Sequence, residues 1–127
     1  MIVLDASIVI AHFDPRDAHH QRATALFRDH LDDDFVVHSL TLTEILVGPI
    51  RVGREALALQ HLDRLHIREW APSGGGALRL AQLRAESALK LPDCCVLDAA
   101  IVTASPLATF DERLAACATS FGIPTLP

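Results

Sequence analysis

Five short runs with the length of β-strands, each separated from the next by a stretch long enough for one or more helices, constrain this chain more than any other feature. Ile2-Val3-Leu4 is continuously apolar, as a strand buried on both faces requires. Phe35-Val36-Val37-His38, the alternating stretch from His66 to Trp70, Leu107-Ala108-Thr109 and the stretch from Ile123 to Leu126 follow at wide intervals. Strands that alternate with helical segments in this way build an α/β sandwich, with a central, mainly parallel sheet flanked by helices.

The intervening segments show helical spacing and helix signals. Ser7 is placed to cap a helix running from Ile8 to about Phe13. After the turn Asp14-Pro15-Arg16-Asp17, residues Ala23, Leu26, Phe27 and Leu31 recur as one face of a helix from Ala18 to Leu31. Ser39 is placed to cap a helix that carries Glu44 and ends near Gly48-Pro49. A further helix is predicted from about Gly53 to Leu65, with Leu57, Leu62 and Leu65 facing inward. Others are predicted over Ala77 to Leu89, Asp93 to Ala104 and Asp111 to Phe121. Pro72-Ser73-Gly74-Gly75-Gly76 reads as a loop, without the Gly-Lys-Ser/Thr of a phosphate-binding loop. No repeat or shift in composition divides the chain, so residues 1–127 are expected to form a single domain.

At those strand ends and helix starts stand four acids: Asp5 after Ile2-Val3-Leu4, Glu44 in Leu42-Thr43-Glu44-Ile45-Leu46, Asp93 after Leu91-Pro92, and Asp111 after Thr109-Phe110. None is a local pair with another. The strand ends of a parallel sheet nevertheless converge on one edge, where ligands bind in open α/β folds. Carboxylates gathered there suit Mg²⁺ or Mn²⁺, hard ions that phosphoryl and phosphodiester chemistry uses to polarise phosphate and activate water. A structural role also explains each acid singly: Asp5 by turning the chain, Asp93 by complementing a helix dipole, Asp111 by capping a helix. Jointly the structural explanation weakens, because all four fall on what should be the same sheet edge. Ser7 and Thr109 each lie two residues from an acid; capping or strand propensity explains them as well as a supporting role does. Asp98 is five positions beyond Asp93, about 140° around the same helix, and reads as an edge or interface residue rather than a ligand.

The formal charge of −5 argues against a nucleic-acid partner until the four acids are set aside. Of 16 acidic residues, 12 then remain against 11 basic ones. Ten of those eleven are Arg, whose planar fork grips phosphate through two hydrogen bonds. Cys94, Cys95 and Cys117 lack the spacing of a zinc knuckle or a disulfide framework and read as small buried hydrophobes. The seven histidines show no ligand spacing and read as surface residues. The N-terminal apolar run is too short for a signal peptide or a membrane span, which points to the cytoplasm.

Val3-Leu4-Asp5-Ala6-Ser7, the segment from Ser39 to Glu44, Leu91-Pro92-Asp93 opening an apolar helix, and Leu107-Ala108-Thr109-Phe110-Asp111 resemble, in order, the motif blocks of PIN-domain proteins, and specifically of VapC-type toxin ribonucleases of type II toxin–antitoxin pairs. The resemblance spans nearly the whole chain. It implies a PIN-like three-layer sandwich and endonucleolytic cleavage of RNA that depends on Mg²⁺ or Mn²⁺. Asp5, Glu44, Asp93 and Asp111 would take the family's acidic positions, and Ser7 and Thr109 its hydroxyl positions near the metal. Arginines on the loops would position the RNA. The resemblance further implies a small cognate antitoxin protein, a homodimer, and contact with DNA only through the antitoxin. Asp98 departs from the pattern, where a small or apolar residue is expected.

Two other functions compete. A response-regulator receiver has similar size and binds Mg²⁺, but Asp5 has no acidic neighbour and Asp111 stands where a lysine should follow a late strand. A catalytically silent PIN-like module that binds RNA or protein is the stronger alternative, and the presence of all four acids counts against it.

Overall fold

The computed structural model describes residues 1–127. In chain order the elements are β1 (Ile2–Leu4), α1 (Ala6–Phe13), α2 (His20–Asp29), β2 (Phe35–His38), α3 (Ser39–Arg51), α4 (Glu55–Arg64), β3 (Ile67–Trp70), α5 (Gly76–Glu86), α6 (Leu91–Thr103), β4 (Leu107–Ala108), α7 (Glu112–Ser120) and β5 (Thr125–Leu126). The strands form one sheet in the order β3-β2-β1-β4-β5, and every pairing is parallel.

Because successive strand residues point to opposite faces, β1 feeds two cores. Ile2 and Leu4 join Phe35, Val37 and Ile67 on one face, packed against Ile8, Leu26, Phe27, Ile45 and Leu62 of α1 to α4. Val3, Val36 and Leu107 point to the other face and meet Leu83 of α5, Val96, Leu97 and Ala100 of α6, and Leu114 of α7. The expected helix–sheet–helix sandwich is therefore present, and its sheet is entirely parallel.

From β1 the chain steps to β2 and then β3 on one side. It next crosses back to place β4 on the other side of β1. The switch point lies between β1 and β4, where crossovers leave in opposite directions and open a crevice at the carboxyl ends of the strands.

Several local expectations are corrected. Asp5, not Ser7, occupies the N-cap position of α1, since Ala6 and Ser7 are already helical. His38, not Ser39, caps α3: its Nδ1 accepts from the Leu40 N–H at 3.0 Å. That helix runs through Pro49 to Arg51; a proline in the last turn removes one hydrogen bond without displacing a following helical segment. In α4 it is Ala58 and Leu62 that are buried, while Leu57 is 47% exposed. In α5 Leu83 is buried and Leu78 faces solvent. Pro92 sits within the first turn of α6, where its missing N–H costs nothing, rather than ending the helix before it.

Asp98 is also corrected. It is neither an edge nor an interface residue: at 1% exposure it is enclosed by its own chain. Its carboxylate takes a two-pronged hydrogen bond from Arg79, Nε to Oδ1 at 2.9 Å and Nη2 to Oδ2 at 3.3 Å. The unexpected charge on the inner face of α6 is tolerated because α5 supplies its counter-charge. Cys94 and Cys95 are buried free thiols, as expected, and burial raises the pKa of both, Cys95 to about 11. Cys117 is only half-buried. His38 is buried, and half-buried His12 pairs with Thr24 Oγ1 at 3.0 Å beside the Phe27 ring, so these two are not surface histidines. Desolvation lowers the pKa of each.

Candidate active site

Asp5 follows β1 directly, and its N–H donates to the Ala108 carbonyl at 3.0 Å, which fixes its backbone at the switch point. Its side chain is almost fully buried. One carboxylate oxygen, Oδ2, accepts from Ser7 Oγ and from Thr109 Oγ1, both at 2.8 Å. Two hydroxyl donors on a single oxygen hold the carboxylate in place and set the direction of the other oxygen.

The two hydroxyls pass the linkage onward. Thr109 Oγ1 accepts from the Asp111 N–H at 3.0 Å, and Ser7 Oγ accepts from the Phe110 N–H at 3.4 Å. Asp111 then caps α7 by accepting from the N–H groups of Arg113 and Leu114 through Oδ1, at 2.9 and 3.0 Å. The structural role foreseen for Asp111 is real. It uses only Oδ1. Asp5, Ser7, Thr109 and Asp111 thus form one connected network between the ends of β1 and β4.

Glu44 and Asp93 reach the same region from different layers. Glu44 projects from α3, which follows β2, and Asp93 stands in the first turn of α6. Desolvation raises the pKa of Glu44, and the charges of Asp5 and Asp93 raise it further. Asp93 is likewise raised, first by desolvation and then by Asp5 and Asp111, with Lys90 opposing. No arginine, lysine or histidine forms a salt bridge with any of the four acids. Of the four predicted acids, Asp5 and Asp111 are joined by hydrogen bonds through Thr109, while Glu44 and Asp93 are linked to them by charge alone.

The acids do not close into a ready-made cage. No three His, Cys, Asp or Glu side chains converge tightly enough to hold an ion as they stand. Mutual repulsion keeps uncompensated carboxylates apart, and Mg²⁺ keeps several of its waters when bound, so it needs only one or two direct carboxylate ligands. The hard oxygen donors and the absence of a basic partner fit such an ion.

The arginines do not sit mainly on loops: Arg22, Arg28, Arg51, Arg64, Arg79, Arg84 and Arg113 all lie in helices. Sequence reasoning also passed over Phe110, His19 and Arg22. They line a cleft of about 450 Å³ that Thr109 and Asp111 share. The only local signal was the position of Phe110 between two site residues.

No helix is long and apolar enough to cross a membrane. No curated protein sequence matches this chain. Among solved structures, a toxin–antitoxin complex from Klebsiella pneumoniae is similar over 100% of this chain and 97% of that one, with TM-score 0.75 and 23% identity. FitAcB from Neisseria gonorrhoeae matches over 100% and 97% at TM-score 0.76 and 16% identity. Mycobacterium tuberculosis VapC20, a toxin that cleaves the sarcin-ricin loop, matches over 92% and 95% at TM-score 0.74 and 18% identity. At these identities what is shared is the fold. The family model for the PIN domain matches residues 2–119, nearly the whole of the chain, and the protein belongs to the PIN domain family.

Proposed function

We propose that this protein is the endoribonuclease toxin of a type II toxin–antitoxin pair, a single-domain hydrolase that cuts RNA phosphodiester bonds with carboxylate-bound Mg²⁺ or Mn²⁺. One observation carries the reading: a buried aspartate locked by two hydroxyls at the sheet's switch point, connected through Thr109 to Asp111 and without a basic partner. The fold shared with toxin–antitoxin proteins supports the biological setting.

When bound, the ion would polarise the phosphate, supply an activated water for in-line attack and stabilise the departing 3′ oxygen. Asp5, with one oxygen fixed by Ser7 and Thr109, would hold the ion through the other. Asp93 and Asp111 would complete its protein ligands, and Glu44, on the exposed side, would bind directly or orient water. Ser7 and Thr109 would act by holding the Asp5 carboxylate in place.

The antitoxin has a surface to occupy. A concavity of about 260 Å³ lined by Ile10, Phe13, Ile45 and Pro49 reaches Glu44 itself, so a peptide docked there would also obstruct the acids. In this reading the protein works in the cytoplasm, as a homodimer, and meets DNA only through its antitoxin.

The deciding experiment is incubation of total cellular RNA with purified, antitoxin-free protein in Mg²⁺, in Mn²⁺ and in EDTA, beside Asp5→Ala. Discrete metal-dependent fragments that vanish in the variant are expected. The open spacing of the acids favours one alternative, a PIN-like module that binds RNA or protein without cutting. Intact RNA in every lane, from folded protein, would establish that alternative.

A further inference from the structure

Beside the acids lies a cleft that the chemistry above does not use. Its volume is about 450 Å³, and its wall includes Thr109 and Asp111, so it is continuous with the candidate site. On it the Phe110 ring packs nearly parallel to the His19 ring, 19° between planes and 4.5 Å between centroids. The Arg22 guanidinium carbon lies 5.0 Å from the same Phe110 centroid, and Arg22 Nη1 is 3.5 Å from His19 Nδ1.

Three residues from two distant parts of the chain thus make one cluster. His19 and Arg22 come from the start of α2, and Phe110 from the link between β4 and α7, tied to Ser7 through its N–H. Arg22 shares the cleft with Asp111 and Glu112, yet forms a salt bridge with neither. Packed against the ring, the guanidinium keeps its planar fork available and loses less freedom when it binds an anion. A cation so held, adjoining acids that would carry a divalent ion, suits a polyanion that spans both positions.

We propose that Arg22, seated on Phe110 and His19, binds an RNA backbone phosphate flanking the scissile one, which makes it a substrate-positioning residue. The proposal rests on the ribonuclease reading for the identity of the scissile group. The occupant we assign is single-stranded RNA, whose successive phosphates can meet Arg22 and the acids beside the same cleft together.

The test measures binding of fluorescent oligouridylate to Asp5→Ala protein at fixed Mg²⁺ over a range of salt, with Arg22→Gln and Arg22→Lys added in turn. Arg22 is exposed, so both variants are expected to fold, and matching thermal midpoints would check this. Loss of one phosphate contact to single-stranded RNA should flatten the log–log salt dependence by about 0.7. Affinity should fall about tenfold in Arg22→Gln, with partial recovery in Arg22→Lys. In the cleavage-competent background Arg22→Gln should raise KM with little change in kcat, as loss of uniform binding does.

An unchanged salt slope and KM in Arg22→Gln would overturn the subsite while leaving the nuclease intact. Arg22-dependent binding by a protein that never cuts would overturn the nuclease and leave the subsite as an RNA contact. No binding of oligouridylate by the Asp5→Ala protein would overturn the subsite outright. Displacement by inorganic phosphate at matched ionic strength, lost in Arg22→Gln, would mean a free-anion site and would also refute it.

Discussion

Thr109 Oγ1 reaches back across 104 residues of chain to donate a 2.8 Å hydrogen bond to Asp5 Oδ2, while accepting from the Asp111 N–H. Thr109→Val keeps the shape and deletes both interactions. A hydrogen bond to a charged group and an orphaned N–H are together expected to cost about 1.5–3 kcal/mol, measured by urea unfolding. RNA cleavage should drop more than tenfold as Asp5 loses its fixed direction, and Thr109→Ser should restore most of both losses. Full activity in Thr109→Val would mean that the hydroxyl is only structural.

Charges gathered for function oppose folding when nothing neutralises them. Asp93 feels the charges of Asp5 and Asp111. Asp93→Asn is therefore expected to stabilise the metal-free protein by about 0.5–1 kcal/mol while abolishing metal-dependent cleavage. Calorimetry with and without Mn²⁺ provides the check: Mn²⁺ should raise the melting temperature of the unaltered protein and have little effect on the variant. A less stable Asp93→Asn protein would show that the acid serves the helix more than the site.

The raised pKa values of Glu44 and Asp93 also fix the sign of a pH effect. Folding raises both above their ordinary values of 4.5 and 3.8, chiefly by desolvation. Between the unfolded and folded pKa values the native state binds more protons than the unfolded state, so these two groups lower stability as pH rises through that window. In metal-free buffer their contribution is most favourable just below the ordinary carboxylate values and falls toward neutrality. Comparing denaturant midpoints with those of a Glu44→Gln, Asp93→Asn protein across that range isolates the effect; identical pH profiles would refute it.

Arg79 and Asp98 form the one salt bridge with a buried member. Arg79→Ala leaves an uncompensated carboxylate in the interior and is expected to lower the urea midpoint sharply. Arg79→Met with Asp98→Leu should be less damaging than Arg79→Ala alone, because an apolar pair leaves no unmatched charge. A double variant worse than the single would show that the pair contributes more than neutralisation.

The sheet, and the place of Asp5 and Asp111 after its strands, were legible in the sequence because each rests on a local pattern: Ile2-Val3-Leu4 then Asp5, or Leu107-Ala108-Thr109 then Asp111. Parallel topology carries such strand ends to one edge whatever the intervening helices do. Other features depend on choices a local pattern leaves open. In α4 apolar residues occur around most of the helix, so spacing alone did not decide that Ala58 rather than Leu57 faces the core. Asp98 looked out of place because its counter-charge, Arg79, belongs to another helix. The packing of His19 and Arg22 against Phe110 joins segments about ninety residues apart, and only the assembled sheet edge brings them together.

The central place of β1, with β4 beside it, also has a meaning in time. Asp5 leaves the ribosome 104 residues ahead of the hydroxyl that locks its carboxylate, which arrives only after residue 109 has left the exit tunnel. Until then β1 lacks its neighbour on that side and the crevice has no second wall. A nascent or prematurely terminated chain ending before β4 therefore carries Asp5, Glu44 and Asp93 but cannot assemble the centre around them. The network around Asp5 closes only once β4 has joined the sheet.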